Sequence, residues 1–176
     1  MPRTNWWRRS PPSWTKSSRV ALSGLLPPST NHAYRGAGLS AAFLGLCAVG
    51  SLVPGLIHYG LPDGGAGVIA GIDLTTRRET IVAVFAWYGA LQIPHGLAQL
   101  AVALRYRTLV PLFLALVVLE RGLVGFDAWF GRGAGGHHPP EHYTTVAQAA
   151  LAVVFLILSL RTRKVVTDDH PAPAAP

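Results

Sequence analysis

Four stretches of the chain stay apolar long enough to cross a bilayer, and the polar residues inside them recur at helical spacing. They cover about 38–57, 81–104, 109–130 and 143–160, and about 20 residues at 1.5 Å rise match a hydrocarbon core of about 30 Å. The fourth is the shortest: its apolar run from Val146 to Leu160 is extended at its start by Tyr143, Thr144 and Thr145. In the second stretch Tyr88, Gln92, His95 and Gln99 stand at i, i+4, i+7 and i+11. That spacing puts all four on one helical face, with Ala, Val, Leu and Ile on the rest. Pro94 predicts a kink just before His95. In the third stretch Glu120 and Asp127 share a face, while Arg121 points about 100° away and is expected to find its partner on another helix rather than in Glu120, or to face a wet crevice. Gln148 lies near the start of the fourth.

The depths of these residues agree. With Tyr106 as the turn between the second and third stretches, Gln92 and Glu120 are each 14 residues away, and Gln148 is 13 residues before Arg161. At about 1.5 Å per residue all three are expected at about 20 Å from the turns, with His95 about one turn nearer them. A charged side chain at that depth costs at least about 2.5 to 3.5 kcal/mol. Glu120 and Arg121 are therefore expected to face the inside of a bundle. Tyr88, Gln92, His95, Gln99, Glu120, Arg121, Asp127 and Gln148 form the predicted intramembrane polar cluster, serving either to bind a ligand or to hold helices together.

Composition narrows the class. Of 176 residues, 50 % are apolar and 13 % charged, a balance too apolar for an ordinary soluble domain. The net charge of +7 would raise nucleic acid as a partner in a soluble protein, but the placement of the positive residues fits a membrane and no nucleic acid is expected. Arg3, Arg8, Arg9, Lys16, Arg19 and Arg35 precede the first stretch, Arg105 and Arg107 separate the second from the third, and Arg161, Arg163 and Lys164 follow the fourth. All fall on one side, which the positive-inside rule makes cytoplasmic, with both termini inside; Arg77, Arg78 and Arg132 run against the trend.

Residues 1–35 mix Arg, Pro, Ser and Trp without a long apolar run and are read as a disordered cytoplasmic tail; 162–176 are read as a second one. Arg8-Arg9 lacks the apolar region and cleavage site of an export signal. The first span carries Ser40, Ala41, Ala42, Gly45, Ala48 and Ser51, small residues that let backbones approach, inside the fold or against a partner helix or second copy. The Gly-rich connector that follows is expected to hold a short interfacial helix around Val68 to Leu74.

Candidate chemistry is sparse. Cys47 is the single cysteine, which excludes an intramolecular disulfide and a cysteine metal site. Haem held by two imidazoles needs two deep histidines on facing helices, and only His95 is deep, so no haem is predicted. His137, His138, Glu141 and His142, with His58, have the ligand types of an external zinc or copper site, although Pro139-Pro140 forbid a regular helix between His138 and His142. No phosphate-binding glycine motif, nucleophile elbow or triad pattern is present, so the reading leans away from an enzyme. A proton relay through Glu120, His95 and Tyr88 is geometrically allowed.

Arg78-Glu79 and Trp87-Tyr88-Gly89-Ala90 around the second span, Glu120-Arg121-Gly122 in the third, and the arrangement of spans from Gly38 to Leu160 resemble small four-span bacterial membrane proteins of unassigned function, distantly DoxX-like. The resemblance implies no activity. The expectation is an all-α, membrane-spanning four-helix bundle over 36–161 in a bacterial cytoplasmic membrane. Its leading function is that of a non-enzymatic packing or partner-binding subunit; the alternative is a binder or carrier of a small lipophilic or protonatable ligand around Glu120. A cavity reaching Glu120 would separate the two.

Overall fold

A computed structural model describes Gly24 and residues 26–161. The two tails beyond them, 1–23 and 162–176, lie outside the described residues. Four helices carry the fold: α1 (Gly38–Gly60), α2 (Arg78–Arg105), α3 (Val110–Phe130) and α4 (Pro140–Leu160), and there is no strand among the described residues. All four are long and apolar enough to cross a membrane, which supports a multi-pass membrane protein. Each begins or ends within a few residues of the expected limits. Proline in the first turn of α3 and of α4 fits, because that turn has no intrahelical partner for its N–H groups.

The helices pack as two antiparallel pairs, α1 with α2 and α3 with α4, and the pairs touch each other more sparsely. Glycines decide the first pairing. A Cβ on Gly89 would lie 2.7 Å from the Gly55 carbonyl oxygen, and one on Gly96 would lie 3.0 Å from the Ala48 carbonyl oxygen. The α2 backbone thus rests directly on α1, where Ser40, Ala41, Ala48, Ser51 and Gly55 are all buried. Most of the small-residue stripe of α1 is therefore used inside the fold, although Ala42 remains exposed.

The apolar core fills one half of the bundle. Leu44 and Cys47 of α1, Val102 of α2, Val110, Leu114 and Val117 of α3 and Ala152 of α4 form it, with Phe43 stacked on Phe155 at 4.4 Å. At that end, 26–37 lie across the helix ends. The Asn31 side-chain amide donates to the Leu104 carbonyl at 2.7 Å and its oxygen accepts the Arg107 N–H at 3.3 Å, Thr30 N–H donates to the Arg105 carbonyl, and Tyr106 donates to the Pro27 carbonyl. Residues 26–35, expected to belong to a disordered tail, are tied to the helix ends as a strap by these bonds; the same expectation for 1–23 falls outside the described residues. Orphan carbonyls at the end of α2 supply the strap's hydrogen-bond acceptors.

At the opposite end, residues 61–77 and 131–139 connect the members of each pair. The expected helix over Val68 to Leu74 does not form; a run of turns covers 62–70 instead. Gly64, Gly65 and Gly71 hold φ of 63°, 76° and 68°, and left-handed backbone at these points ends any helix. The Asp63 carboxylate accepts the N–H groups of Gly65, Gly67 and Val68. Those bonds hold its carboxyl below the usual value.

Candidate functional site

Between the packed half and the connectors the pairs separate, and each seam between them opens into a cavity. The α2–α3 seam holds about 460 Å³, lined by Tyr88, Gln92, His95 and Glu120 among leucines. The α1–α4 seam holds about 730 Å³, lined mostly by apolar side chains together with His58, Arg121, Glu141 and Gln148. Arg121, only 5 % exposed, lies between the two.

The charges are linked through that arginine. Nη2 of Arg121 is 3.4 Å from Glu120 Oε1 and Nη1 is 3.6 Å from Glu141 Oε1. A partner from another helix was expected and is found in Glu141. The contact with Glu120 corrects the expectation that adjacent residues could not pair: the two Cα–Cβ bonds diverge, but two long side chains close the gap beyond them. On the far side of Glu120, its Oε2 is 3.2 Å from His95 Nε2. That nitrogen is also 2.7 Å from the Gln99 amide nitrogen, and Ser51 Oγ is 3.5 Å from Gln99 Oε1. One chain of contacts therefore runs from Ser51 on α1 through Gln99 and His95 on α2 and Glu120 and Arg121 on α3 to Glu141 on α4.

The helical face predicted from spacing is partly right. Gln92 and Gln99 are buried, and Tyr88 and His95 are half-buried, all turned towards the rest of the bundle. His95 rather than Gln92 meets Glu120, because the 3-10 turn Arg107–Leu109 follows Tyr106 and moves the centre of the hairpin along the chain. Gln92, 6 % exposed, has no hydrogen-bond partner on either amide atom. Gln148 lines the other cavity with Arg121, so the three residues expected to meet at one height are divided between two chambers. Asp127 stands apart: it is exposed, and Oδ1 accepts the Arg132 N–H at 3.2 Å beyond the end of α3.

The histidine-rich set is dispersed. His137 contacts the Ala70 carbonyl at 2.8 Å and joins the two connectors. The Nδ1 atoms of His138 and His142 are 3.0 Å apart, with His138 stacked on Trp129. His58 Nδ1 is 2.7 Å from the Gly64 carbonyl, and Glu141 is turned to Arg121. Among the described residues no group of three or more His, Cys, Asp or Glu is gathered closely enough to hold a metal ion. Sequence reasoning placed Glu141 in that set and missed its link to Arg121; the signal was the absence of any carboxylate within the fourth span other than the one at its start.

Fold and site together define an all-helical bundle of four apolar helices with a charged network between two cavities. No family model, curated protein or solved structure matches the chain.

Proposed function

We propose that this is a membrane protein that binds a small lipophilic ligand with a polar or protonated head in the chamber between α2 and α3. The observation that carries the reading is the pair His95 and Glu120 on the wall of an otherwise largely apolar chamber. A polar set serving only to glue helices is sealed off, whereas here the two side chains stay 36 % and 32 % exposed beside the chamber. A ligand head carrying a donor or a positive charge would meet that carboxylate. Apolar walls of leucine and valine suit the remainder of such a molecule. The sparse packing between α2 and α3 leaves a lateral way in from lipid. The clustering of Arg35, Arg105, Arg107 and Arg161 at the strap end supports an orientation with that end at the cytoplasmic face of a bacterial membrane.

The test is mass spectrometry of small molecules that co-purify with the full chain in mild detergent, compared with His95→Leu and Glu120→Leu. A lipophilic compound retained by the parent and lost from both variants is expected. Equal small-molecule content in all three would remove the reading.

A further inference from the structure

The four charged or chargeable groups of the network do not sum to zero. With His95 neutral, Glu120, Arg121 and Glu141 carry a net charge of −1; one proton on His95 brings it to zero. His95 is ten residues from the end of α2 at Arg105, about 15 Å along the axis and so near the middle of a hydrocarbon core. Glu141, 41 % exposed at the start of α4, carries the excess at the connector end, so at the depth of His95 a single carboxylate, Glu120, is shared between Arg121 and whatever cation stands beside it.

The contacts of His95 Nε2 show where the balance is struck. This nitrogen faces the Glu120 carboxylate at 3.2 Å and the Gln99 amide at 2.7 Å. With Nε2 bare, Gln99 N–H donates to it and its lone pair opposes Glu120 Oε2. With Nε2 protonated, its one hydrogen donates to the carboxylate and the Gln99 amide loses its acceptor on the ring. The other groups around His95 are accounted for. On α2 Tyr88 lies two turns away; α3 brings Glu120 and Arg121; α4 brings Glu141 through Arg121. On α1 Cys47 and His58 line the opposite cavity and Tyr59 is exposed.

We propose that His95 and Glu120 form a proton-exchanging site for an organic cation: a monovalent cation entering the α2–α3 chamber takes its place against Glu120 as one proton leaves His95 for water. The proposal rests on the chamber being a ligand site. Arg121, held by two carboxylates, stays in place during the exchange.

The experiment uses the full chain in lipid nanodiscs and tetrabutylammonium, a permanent cation whose own charge does not change with pH. Calorimetric titration in two buffers of different ionisation enthalpy should show about one proton released per cation bound at acidic pH. Affinity should weaken as the pH is lowered, towards a limit of about tenfold per pH unit for exchange against one proton. His95→Gln should bind without proton release and with affinity independent of pH, and Glu120→Gln should lose at least about tenfold in affinity at every pH. Binding by the parent without proton release, or equal binding by Glu120→Gln, would overturn the proposal. Decanamide, a neutral amphiphile whose amide can donate to the Glu120 carboxylate, separates the two levels. If it binds and the cation does not, the exchange falls and the chamber reading stands; if neither binds, both fall.

Discussion

Arg121 and Glu141 meet with Nη1 and Oε1 3.6 Å apart although their backbones are well separated along the bundle. Trp129 Nε1 donates to the His142 carbonyl at 3.4 Å, which sets Trp129 level with the start of α4, and Arg121 is eight residues further down α3, about 12 Å. The guanidinium therefore extends along the bundle towards the connector end, as a long cationic side chain does when its stem can lie on apolar surface. It ties α3 to α4 at the level where the cavities open.

Removing that cation leaves Glu120 without its compensating charge inside the bundle. Arg121→Gln is expected to destabilise the protein by about 3 kcal/mol, and the double variant Arg121→Gln with Glu120→Gln to recover most of the loss, because neither charge then remains. Glu141 is 41 % exposed at its side chain, so Glu141→Gln should cost less than about 1 kcal/mol. Thermal unfolding in detergent, followed by circular dichroism, reads all three.

Gln92 points the other way. Replacing a buried amide that makes no hydrogen bond by an apolar side chain of similar size removes an unpaid desolvation cost, so Gln92→Leu should raise stability by about 1 to 2 kcal/mol in the same unfolding assay. A fall of that size would mean that the amide is already satisfied.

Glycines separate packing from tolerance. Gly89→Ala would push a methyl group to within 2.8 Å of the Tyr59 backbone nitrogen and against the Gly55 carbonyl, and neither backbone can move aside cheaply. A loss of about 1 to 3 kcal/mol is expected. Gly122 has nothing within 4 Å of the same position, so Gly122→Ala should be neutral or gain up to about 1 kcal/mol from helix propensity.

The Asp63 turn should depend on pH in a defined direction. Three backbone N–H groups lower its carboxyl below the ordinary value, so the folded group is the stronger acid. Its contribution is therefore present above the ordinary aspartate value of about 3.9 and is lost as pH falls through the lower folded value. Hydrogen exchange at Gly65, Gly67 and Val68, corrected for intrinsic rates, should be protected at pH 7 and lose protection as the solution is acidified towards about pH 2. Asp63→Asn, which keeps a single acceptor oxygen, should show reduced protection at both extremes.

Particular residues show how far the sequence could be read. The polar face of α2 was legible because a 3.6-residue period is a local property: Gln92 and Gln99 had to share a side with Tyr88 and His95 wherever that side pointed. The expectation that Gln92 meets Glu120 failed by about one turn, since it depended on whether the chain turns at Tyr106 or goes on through a 3-10 turn. Arg121 required a partner by its cost in lipid, but which carboxylate supplied it could not be read from spacing. The strap at Asn31 was missed because its bonds go to main-chain carbonyls, which carry no sequence signal.

The chain by itself determined four apolar helices, their lengths and the polar face of the second, because apolar run length and helical period are set by the residues in each segment alone. Only the tertiary structure decided that α2 rests on α1 rather than on α3, since that choice turns on how closely Gly89 and Gly96 let two backbones approach. The same choice leaves the seams between the pairs open, and those seams give His95 and Glu120 a chamber to face.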